Sequence, residues 1–254
     1  MDKTERSQNI VYGRNPVLEL LKAGKRTVNK IILARTARGA AIDEIVKLAK
    51  SKGIAFYDVP PEKLDKFGEN SQGVAAEVSA IEYIELSDLI TKAKLQSEKP
   101  LLTILDGIED PHNLGAIIRN CAAFGADGAI IPKWRAAAVN ETVAKASAGA
   151  IEHIPIARVV NTNQAIDLLK KRGFWVAGAQ NGGQNLEKTE LHFPLAIIIG
   201  SEGFGLRDLT KKNCDFLISI PQKNTISSLN ASCASAIILY ELSKKRRLTD
   251  KDEA

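Results

Sequence analysis

From Leu101 onward the chain carries five nearly unbroken apolar runs: LLTILD (101–106), GAIIP (128–132), FWVAG (174–178), LAIIIG (195–200) and FLISIP (216–221). A strand with one wet face alternates apolar and polar residues, whereas a strand that is apolar throughout is covered on both faces. Helical segments fall between these runs, at 163–172, 206–213 and about 231–246. Neighbouring parallel strands need long crossovers, which helices supply. The pattern therefore predicts a parallel sheet with helices packed on both sides.

The residues before Tyr83 read as a second, smaller α/β unit. Asn15-Pro16 is expected to start a helix, with Asn as the cap, Pro at the first helical position, and Val17, Leu20 and Leu21 on the apolar stripe. Strands are expected at 30–34, 54–59 and 74–78, a helix at 41–52 with Ile42, Ile45, Val46 and Leu48 inward, and a short helix after Pro60-Pro61. The charged stretch 85–99 reads as the connection, with Ser87 able to cap a short helix. The chain thus divides into residues 1–84, a linker at 85–99, and a domain at 100–254.

Aromatic residues make up only 5% of the 254, so both cores must be mostly aliphatic. The net charge of +5 permits a nucleic-acid partner without demanding one. One stretch is locally basic. Arg14, Lys22, Lys25, Arg26, Lys30, Arg35 and Arg38 lie between Ile10 and Ala40, opposed only by Glu19. They form either an RNA-facing surface or an ordinary solvated face. Cys121, Cys214 and Cys233 are far apart and odd in number, which argues against a disulfide framework and for a reducing compartment. His112, His153 and His192 are equally scattered, so no metal site is expected. The polar start MDKTERSQ lacks the apolar core of a signal peptide, and no apolar run reaches membrane-spanning length, so a cytoplasmic protein is expected.

In open parallel sheets, ligands bind beyond the carboxyl ends of the strands. Three such ends carry unusual loops. In DGIEDPHNLGAIIRN (106–120), Asn113 is read as the cap of a helix with Leu114, Ile117, Ile118, Cys121 and Ala122 on one stripe. Arg119 falls off that stripe, so packing does not account for it. In IIIGSEGFGLRDL (197–209), three glycines in six residues follow a buried strand, and Glu202 stands between two of them. Backbone brought close to a ligand, or a set of tight turns, explains such glycines. Their spacing is neither the dinucleotide fingerprint nor a phosphate-binding P-loop. In ISIPQKNTISSLNASCASAIILYE (218–241), Asn230 is placed to cap a helix whose first turns are small residues, suited to close approach.

Together and in this order the three loops resemble the signature motifs of the SpoU (TrmH-type) RNA 2′-O-methyltransferases of the SPOUT superfamily. The first motif stands as Asn113, Gly115 and Arg119. The second stands as Gly200, Ser201, Glu202, Gly203, Gly205 and Leu206, and the third as Ser228, Leu229 and Asn230. KASAGAIEHIP (145–155) is similar to the stretch between the first two motifs. YGRNPVLELL (12–21) and SQGVAAEV (71–78) resemble the small L30e-like substrate-binding domain of the RlmB-like branch, which methylates a 23S rRNA guanosine.

The resemblance implies a SPOUT catalytic domain with a trefoil knot, a homodimer with its active site near the subunit interface, and S-adenosylmethionine as methyl donor without a metal. It implies donor contacts at Gly200, Ser201, Gly203, Ile220 and Leu229. It also implies catalytic roles for Arg119, Asn113, Glu202, Ser228 and Asn230. A guanidinium stays charged at neutral pH. Arg119 is accordingly expected to bind a substrate phosphate and stabilise the developing alkoxide rather than act as a free base. The basic stretch in the first domain is the candidate RNA surface. A tRNA ribose target, and a non-catalytic RNA-binding or ribosome-assembly role, stand as alternatives.

Overall fold

A computed structural model of the protein describes residues 10–65, 67, 71–203, 205–223 and 228–249. The polar start, the end of the charged tail and the tip of the loop before Ser228 lie outside them. The chain forms two compact units. The first comprises the residues up to Glu82 together with Ala138–His153, and the second Tyr83–Ala137 with Ile154 onward.

In the first unit, β1 (Ile10–Tyr12), α1 (Arg14–Ala23), β2 (Val28–Ala34), α2 (Ala40–Ser51), β3 (Phe56–Val59), α3 (Glu62–Asp65) and β4 (Val74–Val78) follow one another. The sheet order is β1-β4-β2-β3, antiparallel except for the β2–β3 pair. Val17, Leu20 and Leu21 of α1 are buried in the core, as are Ile31 of β2 and Val74–Ala76 of β4. The helix begins earlier than expected. Its cap position is Gly13, at φ 98°, so Asn15 is inside the first turn and caps nothing. The Arg14 amide instead donates to Gln72 Oε1 at 2.9 Å.

The distant segment Ala138–His153 adds α4 (Glu141–Ala146) and a 3-10 turn at Ala150–Glu152. It is held by Arg26, whose guanidinium donates to Glu152 Oε1 at 2.9 Å and through Nε to the Ser79 carbonyl at 2.9 Å. Gly149 makes this packing possible. A Cβ there would lie 2.6 Å from that of Glu19.

The second unit opens with α5 (Leu86–Gln96), formed by the stretch expected as a linker. Leu86, Leu89, Ile90 and Ala93 recur at helical spacing and are buried in the core with Leu102, Ile104, Ile130 and Ile198. Ser87 sits within this helix, and Glu85 takes the cap position. The remaining elements are β5 (Leu101–Asp106), α6 (Pro111–Ala123), β6 (Gly128–Pro132), β7 (Ile156–Val159), α7 (Thr162–Lys171), β8 (Trp175–Asn185), β9 (Leu195–Gly200), α8 (Asp208–Asn213), β10 (Phe216–Ser219) and α9 (Ala231–Thr249).

All six strands are parallel, in the order β10-β8-β9-β5-β6-β7. The five apolar runs form five of them. The short β7, four residues long, was not anticipated. Among the described residues no helix is long and apolar enough to cross a membrane.

Candidate active site

Beyond the carboxyl ends of β8, β9 and β10 lies a cavity of about 250 Å³. Gly200, Ser201, Gly203, Ile220 and Leu229 all line it, joined by Glu202 and Ser228. Two backbone features open this space. β8 pairs with β10 through Gly178 and resumes only at Gln184, so residues 179–183 bulge outward. After β9 the chain doubles back, with the Gly205 amide donating to the Ser201 carbonyl at 2.9 Å. Gly200 faces that return directly. A Cβ there would lie 2.4 Å from the Gly205 carbonyl carbon and oxygen.

The cavity wall combines Ile218, Ile220, Leu229 and Ile238 with Gln180 and the glycine backbone. Gln180 Oε1 is buried and has no hydrogen-bond partner among the described residues. An orphaned buried acceptor is costly unless a ligand donor meets it. An apolar wall, closely approached glycine backbone and one open acceptor suit a nucleoside-like molecule with an exocyclic amine, and so fit the adenosine of the expected donor. Gln180 was not anticipated. The strand was expected to end at Gly178, and the polar, glycine-rich AQNGGQN that follows is the sequence trace of the bulge.

Asn230 joins the three motif loops. Its Oδ1 accepts from the amides of Ser232 at 2.9 Å and Cys233 at 3.3 Å, which caps α9 as expected. Its amide nitrogen donates to Asn113 Oδ1 at 3.1 Å and to Glu202 Oε1. Asn113 is not a cap. Asp110 fills that position, accepting from the amides of His112 at 3.0 Å and Asn113 at 3.4 Å, with Pro111 opening the helix. The side chain of Asn113 is thereby released for the contact with Asn230.

Arg119 stands apart. It is exposed on α6, lines neither this cavity nor its neighbour, and makes no hydrogen bond or ion pair among the described residues. Six residues along a helix from Asn113, it lies about 9 Å further on and roughly 120° around the axis.

A second cavity, of about 810 Å³, shares Ser201, Glu202 and Gly203 with the first. Asn113, Arg135 and Arg207 also line it. At its floor Asp106 is buried and accepts from Thr162 Oγ1 at 3.3 Å and Thr210 Oγ1 at 3.2 Å. Thiol chemistry has no foothold in either cavity. Burial pushes Cys121 up to about 12 and Cys214 up to about 11, and neither lines a wall. Among the described residues no group of three or more His, Cys, Asp or Glu side chains could hold a metal ion.

The seven basic residues of the first unit separate in space. Arg26 is engaged by Glu152 and has a side chain only 9% exposed, so it is not available to a ligand. Lys22 pairs with Glu44 at 3.1 Å and Lys30 with Glu77 at 2.7 Å. Lys25 donates to the His153 carbonyl at 3.2 Å. Arg14, Arg35 and Arg38 gather where α1, α2 and β4 begin and β2 ends. Arg14 Nε donates to the Gln72 carbonyl at 3.2 Å and Arg38 Nη1 to the Arg35 carbonyl at 2.8 Å. Among the described residues these three positive charges have no carboxylate partner.

Comparison with known proteins gives this geometry a context. Residues 100–240 match the model of the SpoU rRNA Methylase family, and residues 10–84 match that of the RNA 2′-O ribose methyltransferase substrate-binding domain. YacO of Bacillus subtilis (strain 168), assigned to the TrmH family of tRNA/rRNA methyltransferases, is 45% identical over 239 residues, covering 93% of this chain and 95% of its own. The fold is similar to that of the SpoU methyltransferase AviRb from Streptomyces viridochromogenes, crystallised with the cofactor AdoMet. The TM-score is 0.80 at 24% identity, covering 97% of this chain and 94% of that one. An AdoMet-bound rRNA methyltransferase from Sinorhizobium meliloti gives a TM-score of 0.77 at 24% identity, covering 97% and 89%.

Proposed function

The chain belongs to the SpoU rRNA methylase family, and from that premise we propose that it methylates a ribose 2′-hydroxyl of RNA, a guanosine of 23S rRNA, with S-adenosylmethionine as donor. The observation that carries the reading is the Asn113–Asn230–Glu202 contact at the rim of the glycine-walled cavity. Side chains from three segments converge there, Asn113 lying 117 positions from Asn230 and Glu202 28 from it, beside a space suited to a nucleoside.

The donor supplies a methyl group made electrophilic by a sulfonium. Gly200, Ser201, Gly203, Ile220 and Leu229 hold it, and Gln180 accepts a hydrogen bond from it. Asn230 fixes Glu202 and Asn113 relative to each other, so the wall between the two cavities keeps its shape while a ribose is placed across it. The new bond forms between the ribose oxygen and the methyl carbon as the sulfur–methyl bond breaks. The hydroxyl proton passes to a substrate phosphate or to water. Ser228, at the cavity rim, helps to orient the hydroxyl.

Arg119 binds the phosphate and stabilises negative charge building on the oxygen. Because it lies away from its own chain's cavities, it serves the site of a second copy in a homodimer. A trefoil knot in the second unit belongs to the same reading. Arg14, Arg35 and Arg38 of the first unit contact RNA phosphates and contribute to the choice of substrate.

The test is transfer of labelled methyl from S-adenosylmethionine to separate pools of unmodified rRNA and tRNA, with Arg119→Ala alongside. Label in rRNA ribose that disappears in the variant is the expected result. Label in tRNA alone would keep the chemistry and replace the substrate. No transfer to either pool or to ribosomal particles, without donor binding, would leave a binding protein.

A further inference from the structure

The loop that leaves β6 carries Lys133, Trp134 and Arg135 in succession. It emerges at the same edge of the sheet as the motif loops and is pinned at both ends. The Lys133 amide donates to the Val159 carbonyl at 2.7 Å, and the Ala137 amide to the Ile108 carbonyl at 2.8 Å. Trp134 is 65% exposed, in a chain with only two tryptophans. Tryptophan and arginine serve protein interfaces as well as nucleic acids, whereas the flanking Lys133 is of a type depleted from interface centres. A large exposed indole between two cations matches a ligand that offers flat apolar faces joined by anions.

Arg135 links this platform to the site. It adopts φ 55°, a left-handed conformation uncommon for a residue with a side chain, and lines the 810 Å³ cavity. Arg207 lines the same cavity. Neither arginine forms an ion pair among the described residues, although Asp106, Glu109, Asp110, Glu202 and Asp208 share the lining, the last paired with Lys211 at 3.6 Å. Two guanidiniums that form no ion pair among the described residues, beside five carboxylates, mark a place for an incoming anion, and a phosphodiester is the anion that comes with a ribose.

We propose that Trp134 is a stacking platform for an unpaired base adjacent to the methylated nucleotide, and that Arg135 holds the phosphate next to it. The proposal rests on the reading of the chain as an RNA methyltransferase and deepens it. A ribose buried between the two cavities must come from a strand pulled out of its stack. The base beside it loses a neighbour, and the indole face replaces that neighbour.

Trp175→Phe leaves Trp134 as the single tryptophan reporter in the full-length chain. A mixed-sequence twelve-nucleotide oligoribonucleotide without self-complementarity, tRNA and 23S rRNA are titrated against its fluorescence, with inorganic polyphosphate as the charge control. Saturable quenching by RNA and not by polyphosphate is expected. Trp134→Ala should weaken RNA binding by roughly 5- to 100-fold and Trp134→Phe should restore most of it, with S-adenosylmethionine binding unchanged. Arg135→Ala should lower the salt slope of RNA binding by about one.

Equal quenching by polyphosphate, no quenching by any of the three RNAs, or unchanged RNA affinity in Trp134→Ala would overturn the assignment. So would a shift of Trp134→Ala to a smaller species in sedimentation, because the indole would then be a subunit contact. The functional reading fails separately. It falls if the wild-type protein binds these RNAs but transfers no methyl to rRNA, tRNA or ribosomal particles.

Discussion

Two groups of residues in this molecule behave oppositely between sequence and space. Seven cations within 25 positions of the first unit look like a patch, yet three of them are matched to carboxylates, at Glu152, Glu44 and Glu77. Asn113, Glu202 and Asn230 are separated by most of the second unit, yet share hydrogen bonds beside one cavity. Proximity along the chain is weak evidence for a charged surface, because acids from other elements can neutralise it. A loop at the carboxyl end of a parallel strand is stronger evidence, because the topology brings such loops to one edge.

The comparison breaks most visibly at Arg26. If it is a structural cation, Arg26→Ala strands Glu152, whose side chain is 4% exposed, without its partner. Removing one member of a buried pair typically costs about 3–5 kcal/mol. Thermal unfolding should shift down by many degrees while donor affinity, measured on folded protein, stays put. An unchanged melting temperature would return Arg26 to the list of RNA contacts.

The converse test lies in the second group. Gly200→Ala places a Cβ 2.4 Å from the Gly205 carbonyl, so the return of the loop must shift. Overpacking of this kind costs about 1–3 kcal/mol. S-adenosylmethionine affinity by calorimetry should fall roughly 10- to 100-fold with the fold intact. Unaltered affinity would detach the cavity from the donor.

Much of this architecture could be read from residues alone, and for a physical reason. β5, β6 and β9 are covered on both faces, so their sequences are nearly unbroken apolar runs, and β8 and β10 each contribute a shorter apolar stretch. What escaped was set by partners distant in sequence. Arg26 and Glu152 lie 126 positions apart, and nothing in either local sequence announces the pairing that joins residues 138–153 to the first unit. The stretch 85–99 looked like a linker because its lysines outnumber its apolar residues in the second half, although four buried positions recur at helical spacing. Asn113 was misread as a cap because Asp110-Pro111 is an equally good start three residues earlier. That shift matters, since a true cap would have used the side-chain oxygen that now accepts from Asn230.

Arg14, Arg35 and Arg38 sharpen the contrast with their neighbours at a smaller scale. Neutralising all three should weaken RNA binding and reduce the magnitude of its salt slope by about two to three, as expected when phosphate contacts are lost. Lys22→Ala with Lys30→Ala removes nearly as much charge from the same unit but breaks only exposed pairs, with lysine side chains 42% and 41% accessible. Exposed pairs contribute about 0–1 kcal/mol to stability, so the double variant should unfold almost as the parent does. Its slope should also barely move, because Glu44 and Glu77 already compete for those ammonium groups. If instead both sets changed the slope equally, the unit would be acting through its summed charge, and the placement of individual arginines would carry no weight.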